Sequence, residues 1–132
     1  MIVREALVPD PRVLAAGASA REAAELLMRP NVKNVLVVDG DRLVGCVTRE
    51  TVVAAVATGG DVRAMSARDL CDTNVVTISP ETGLEEAIHL MAERGLERLP
   101  VVEKGKLLGV LPREPLVRRL AEDEAPEPPV DS

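Results

Sequence analysis

Two stretches of this chain, "LVGCVTRE" at residues 43–50 and "LLGVLPRE" at residues 107–114, carry Leu, Gly, Arg and Glu at the same relative positions, 64 residues apart. Aligning the sequence with itself at that offset, without a gap, also pairs "EAAELL" with "EAIHLM" and "VLVVDGDR" with "LPVVEKGK". Ten identities fall between Ala20 and Val56, and Arg4 meets Arg68. An internal period of this length marks a structural unit written twice. The first copy is assigned to residues 1–58 and the second to 65–121, with 59–64 as the linker around "TGGD".

Each copy has one order of elements. Short apolar runs, Val13-Leu14 and Val75 to Ile78, predict a brief strand. Turn residues follow, and then Ala20, Ala23, Ala24 and Leu27, or Leu84, Ala87, Ile88 and Met91, recur at helical spacing. Ser79 or Thr82 is expected to cap the second of these helices, with Glu85 and Glu86 near its positive end. "NVLVVD" and "RLPVVE" then lead through Asp39-Gly40-Asp41 or Lys104-Gly105 into the quoted phrases, the pattern of a β-hairpin. Val52, Val53 and Val56, or Leu116, Val117 and Leu120, close each copy with helical spacing. The expected fold class is α+β, two β-α-β-β-α repeats packed as a pseudo-symmetric pair. Units of about 60 residues are marginal alone and gain by mutual burial.

The composition narrows the function. Phe, Tyr and Trp are absent, so the core is aliphatic and no ring is offered to unstacked bases. A net charge of −6 repels a phosphate backbone, which argues against nucleic acid and anionic membranes as partners. Cys46 and Cys71 lack metal-ligand spacing and suit reduced thiols in a cytoplasmic protein. No apolar run approaches the ~18 residues of a membrane span, and the N-terminal stretch lacks the apolar segment of a signal peptide. The sole histidine, His89, has no partner at metal or nucleophile spacing, so neither a metal site nor an enzyme is indicated. Residues 122–132, acidic and rich in proline, predict a disordered tail.

The frame running from "VVTISPETGLEEAIHLMAERGLERLPVV" to "LLGVL", repeated from "SAREAAELLM" to "LVGCVTRE", resembles a tandem pair of cystathionine-β-synthase (CBS) domains, a Bateman module. The resemblance implies a sensor without a required cofactor. Its clefts between the repeats would take AMP, ADP, ATP or S-adenosylmethionine, and its helices would form a homodimer. A protein partner is left open. In ligand-binding members the Gly-led strand ends in Thr or Ser followed three residues later by Asp, and the two side chains grip a ribose. Here Thr48 keeps the hydroxyl while Thr51 replaces the Asp, and the second copy has Pro112 and Pro115 at those places.

The resemblance further places Arg98 at a position that contacts phosphate in some members, with Asn34 as its counterpart, and Arg49 and Arg113, directly after the strand in each copy, are set beside the same cleft. Leu14, Leu36, Thr77, Ile78, Leu99 and Pro100 fall where the family covers an adenine with aliphatic side chains and backbone. For each of these the competing assignment is plain core, and for the arginines a solvated surface or an ion pair. The sequence therefore supports a nucleotide-responsive regulatory module. The alternative is a degenerate pair serving as a ligand-free scaffold for dimerisation or docking.

Overall fold

The computed structural model describes residues 1–9 and 12–113. The strands and α-helices among them are, in chain order, β1 (Val13–Ala15), α1 (Ala20–Leu27), β2 (Asn34–Asp39), β3 (Arg42–Thr48), α2 (Arg49–Ala57), α3 (Ala67–Leu70), α4 (Leu84–Arg94), β4 (Arg98–Glu103) and β5 (Lys106–Pro112). The class is α+β, as expected. The last helix expected in the second copy and the expected tail lie outside the described residues.

The hairpins form because Gly40 takes φ +64°, and Lys104 and Gly105 both take positive φ, the geometry of a tight hairpin turn. Each hairpin carries a bulge at the same place. Val37 pairs with Gly45 but Val38 with Leu43, and Val101 pairs with Gly109 but Val102 with Leu107. Val44 and Leu108 are the extra residues. The five strands run in the order β1-β2-β3-β5-β4, and the two halves of the sheet meet at Arg42 and Lys106. Leu43 donates to the Gly105 carbonyl at 3.1 Å and Leu107 to that of Asp41 at 2.8 Å.

The repeat explains more than the elements. Each copy's leading segment docks on the other copy's core. Val3, fully buried, packs with Leu84, Ala87, Met91 and Leu99, while Ala67 and Leu70 pack with Ala20, Ala23, Leu27 and Val35. Val8 exchanges backbone bonds with Val110 at 2.8 and 2.9 Å, and Asp72 with Cys46 at 2.9 and 3.0 Å, again 64 residues apart. The glycines of the two quoted phrases permit this approach. A Cβ on Gly45 would stand 2.5 Å from the Asp72 carbonyl oxygen, and one on Gly109 would stand 2.6 Å from that of Val8. Arg4 and Arg68 also act alike, each tying a leading segment to the opposite hairpin. Arg4 pairs with Glu103 at 3.0 Å and Arg68 with Asp39 at 2.8 Å.

Two expectations are corrected. Val75 to Ile78 do not form a strand: only Ile78 bridges Val101, in parallel. In the first copy, β1 is held at its ends by Leu36 N–H to the Arg12 carbonyl (3.2 Å) and Ala16 N–H to that of Val38 (2.7 Å). The residues standing 64 positions on from Leu36 and Ala16 are Pro100 and Pro80, which have no N–H to give. The ladder shrinks to the two bonds of Ile78, at 3.0 and 2.9 Å. The second correction is that Gly83, not Ser79 or Thr82, caps α4, and it does so without a side-chain bond. The Ser79 hydroxyl instead accepts the Glu81 N–H at 3.1 Å.

Candidate functional site

The clefts follow from the exchange of leading segments. Residues 72–76, crossing to the first copy, close a cavity of about 240 Å³ between the two halves of the sheet. Its walls are Asn34 and Leu36 of β2, Cys46 and Thr48 of β3, Thr51 of α2, Arg98 and Pro100 of β4, and Asp72, Asn74, Val75 and Val76 of the crossing segment. Leu36, Pro100 and Val110 are buried and give it an apolar floor. A mostly apolar, partly enclosed space with a few convergent polar groups is the usual form of a small-molecule site.

Thr48 sits at its mouth because it is both the end of β3 and the N-cap of α2. The Thr48 hydroxyl accepts the Thr51 N–H at 3.1 Å. Thr51 returns the contact: its hydroxyl accepts the Thr48 N–H at 3.0 Å and donates to the Thr48 carbonyl at 2.9 Å. This is a capping box built from two threonines. Its effect on the two hydroxyls differs. That of Thr51 is turned back on the helix terminus, while Thr48 keeps its proton and a lone pair for a partner in the cavity.

Pro100 adds a second polar group by subtraction. Because it has no N–H, the Val76 carbonyl, which stands where the Arg12 carbonyl accepts from Leu36 in the first copy, accepts no hydrogen bond from the described residues. Charge is confined to Arg98 and Asp72 among the described residues that line the cavity. The Asp72 carboxylate accepts the Asn74 N–H at 2.9 Å, which fixes the crossing segment's turn. Next to it, partial burial pushes the Cys71 thiol above its ordinary pKa, and its Sγ lies 3.2 Å from the Arg68 carbonyl.

Of the residues singled out from the sequence, the cavity brings together Leu36, Thr48, Thr51, Arg98 and Pro100. Arg49 points elsewhere, donating to the Leu27 carbonyl at 2.7 Å and so closing the end of α1. Leu14 packs on the first core, and Ile78 and Leu99 belong to the second. Thr77 is exposed and borders a separate depression of about 190 Å³ with Val75 and Val102. Asp72, Asn74 and Val76 were not anticipated. The signal that could have found them is the pair Gly45 and Gly109, each of which calls for a crossing backbone.

A second cleft, of about 370 Å³, lies around Pro112, where the repeat places the counterpart of Thr48. Among the described residues no group of three or more His, Cys, Asp or Glu is placed to hold a metal, and no helix is long and apolar enough to cross a membrane.

The fold and its two clefts place the chain in a class, and the comparisons agree: the CBS domain family model matches residues 3–58 and again 67–122, so the chain belongs to the CBS domain family as a tandem pair. It is 29% identical over 103 residues to protein MK0525 of Methanopyrus kandleri, a match that covers 76% of this chain and 53% of that protein. The chain thus spans about half the length of that relative. It is 28% identical over 110 residues to the CBS domain-containing protein YhcV of Bacillus subtilis, covering 83% of this chain and 78% of the other. Among solved structures it resembles CBSX2 of Arabidopsis thaliana in complex with AMP, with a TM-score of 0.74 and 28% identity over 93% of this chain and 98% of that one.

Proposed function

We propose that this chain is a regulatory module that binds an adenosine-type nucleotide, AMP, ADP, ATP or S-adenosylmethionine, in the cavity at Thr48. The observation that carries this reading is that Thr48, Val76 and Arg98 line one mostly apolar cavity between the repeats. The hydroxyl meets the ribose, the Val76 carbonyl accepts from the exocyclic amine of the base, and Leu36 and Pro100 cover its faces. Arg98 faces the phosphate. The likeness to an AMP-bound CBS pair supports the choice of ligand class.

Occupancy is reported by changing how repeats or subunits meet, which requires the ligand to favour one arrangement over another by typically ~1–3 kcal/mol. The surface for such a meeting is apolar. Helix α2 rests on the first core only through the partly buried Val52 and Ala55, Val53 and Val56 are 66% and 58% exposed, and Met28, just beyond α1, is 81% exposed. A homodimer covering these side chains explains why they are not polar.

The test is thermal unfolding followed by circular dichroism with each of the four ligands, because the chain has no tryptophan signal. A ligand at 100-fold its dissociation constant adds about 2.7 kcal/mol to the folded state. A flat series across all four would leave the scaffold reading in its place.

A further inference from the structure

Arg49 follows Thr48 in sequence but is not among the residues that line the cavity. Its Nη2 donates to the carbonyl of Leu27, the last residue of α1, at 2.7 Å. A helix leaves its final carbonyls without partners of its own, and its dipole favours a cation there. The last turn of α1 has no basic residue, and Arg49 supplies one from 22 positions further along the chain. Leu27 is buried in the first core with Val35 and Val47, so this carbonyl is a fixed point.

Helix α2 needs such a point. Of its residues Val52 and Ala55 pack on the first core, both only partly buried, and none is fully buried. Yet its first turn carries the donor that orients Thr48. The Thr51 N–H reaches the Thr48 hydroxyl at 3.1 Å, and that bond selects one of the staggered rotamers open to the side chain. A first turn that shifts loses the bond and frees the hydroxyl to rotate. We infer that Arg49 is a positioning residue of the adenosine seat: by tying the start of α2 to the end of α1 it holds the Thr51 N–H, and through it the Thr48 hydroxyl, in the orientation that meets the ribose. Arg49 itself does not touch the ligand. This inference rests on the seat proposed above and adds the residue that sets its geometry.

Titration calorimetry with adenosine and AMP tests it on wild type, Arg49→Met, Arg49→Lys, Thr48→Val and the Arg49→Met/Thr48→Val double variant, each checked for fold by circular dichroism. Methionine keeps the length of the side chain and removes the donor. Arg49→Met is expected to weaken adenosine and AMP by the same factor, about three- to tenfold, since the loss is bounded by one hydrogen bond. Arg49→Lys, which keeps a donor and the charge, is expected to bind within about twofold of wild type. In the Thr48→Val background Arg49→Met adds less than about twofold, because its effect passes through the missing hydroxyl. Unchanged affinity in Arg49→Met, whatever its melting temperature, makes Arg49 a cap of α1 alone. A loss confined to AMP makes it a phosphate contact, and a loss undiminished in the Thr48→Val background routes it through another group. Each of these overturns the inference and leaves the seat standing. If Thr48→Val binds both compounds as wild type does, or wild type binds neither, the seat fails and the inference with it.

Discussion

Replacing Thr48 with valine removes two things at once, and the structure lets their sizes be separated. The first is the N-cap of α2, since the Thr48 hydroxyl accepts the Thr51 N–H at 3.1 Å. Loss of such a cap costs about 1 kcal/mol, which for a domain of this size lowers the melting temperature by about 4 °C. The second is the proposed contact with the ribose, a hydrogen bond of about 0.5–1.5 kcal/mol, or a loss of up to roughly tenfold in affinity. At a ligand concentration 100-fold above the wild-type dissociation constant, stabilisation falls from about 2.7 to about 1.4 kcal/mol, so the ligand-induced shift is roughly halved. The assay is therefore a melting curve of each protein with and without AMP and ATP, compared as shifts and not as absolute midpoints. Thr48→Ser keeps both contacts and serves as the control. A lowered baseline with an undiminished shift refutes the ribose role, and an unchanged baseline refutes the cap.

Gly45→Ala and Gly109→Ala each drive a Cβ to 2.5–2.6 Å from a backbone carbonyl. Each should cost more than the ~1 kcal/mol typical of a point substitution and speed amide exchange at the crossing pair Cys46 and Asp72 or Val8 and Val110; a neutral result would contradict the exchanged packing. Pro100→Leu restores the N–H that Leu36 supplies in the first copy. Melting should rise or hold, while nucleotide affinity drops because the Val76 carbonyl is satisfied internally; unchanged affinity removes that carbonyl from the site. Val56→Glu places a charge on the exposed apolar side of α2, and light scattering should show a wild-type dimer and a monomeric variant; a dimer that persists in the variant would place the interface elsewhere, and a monomeric wild type would contradict the proposed dimer. Burial raises the Cys71 thiol above its ordinary pKa, so the stability this group contributes is complete below the unfolded thiol's pKa and is lost as pH rises through the folded one. Alkylation of Cys71 should accordingly lag that of a peptide thiol at about pH 8, and equal rates would contradict it.

The frame was legible because apolar spacing and turn glycines repeat in register. Both hairpins, α1 and α4 lie where those patterns place them. The crossing of the leading segments was not, since periodicity reports which face is buried and not which core buries it. Val3 and Ala67 look alike in either arrangement. The reduced strand at Ile78 was foreshadowed by Pro80 and Pro100, but only the pairing partners show that both prolines fall on donor positions. At the cavity, Thr48 and Arg98 were singled out through the family resemblance and do line it, whereas Asp72 and Val76 come from the crossing and could not be placed before it. Arg49 shows the limit from the other side. Its neighbours in sequence set it by the cleft, and the carbonyl it serves, on Leu27, is 22 residues away.

The central claim, one adenosine seat formed by both repeats, is tested most directly by amide NMR during titration with AMP. The account predicts saturable shifts that share one dissociation constant at Thr48, Val76 and Arg98, three positions brought together by the fold alone. Shifts confined to surface residues, or none at millimolar AMP, would contradict it.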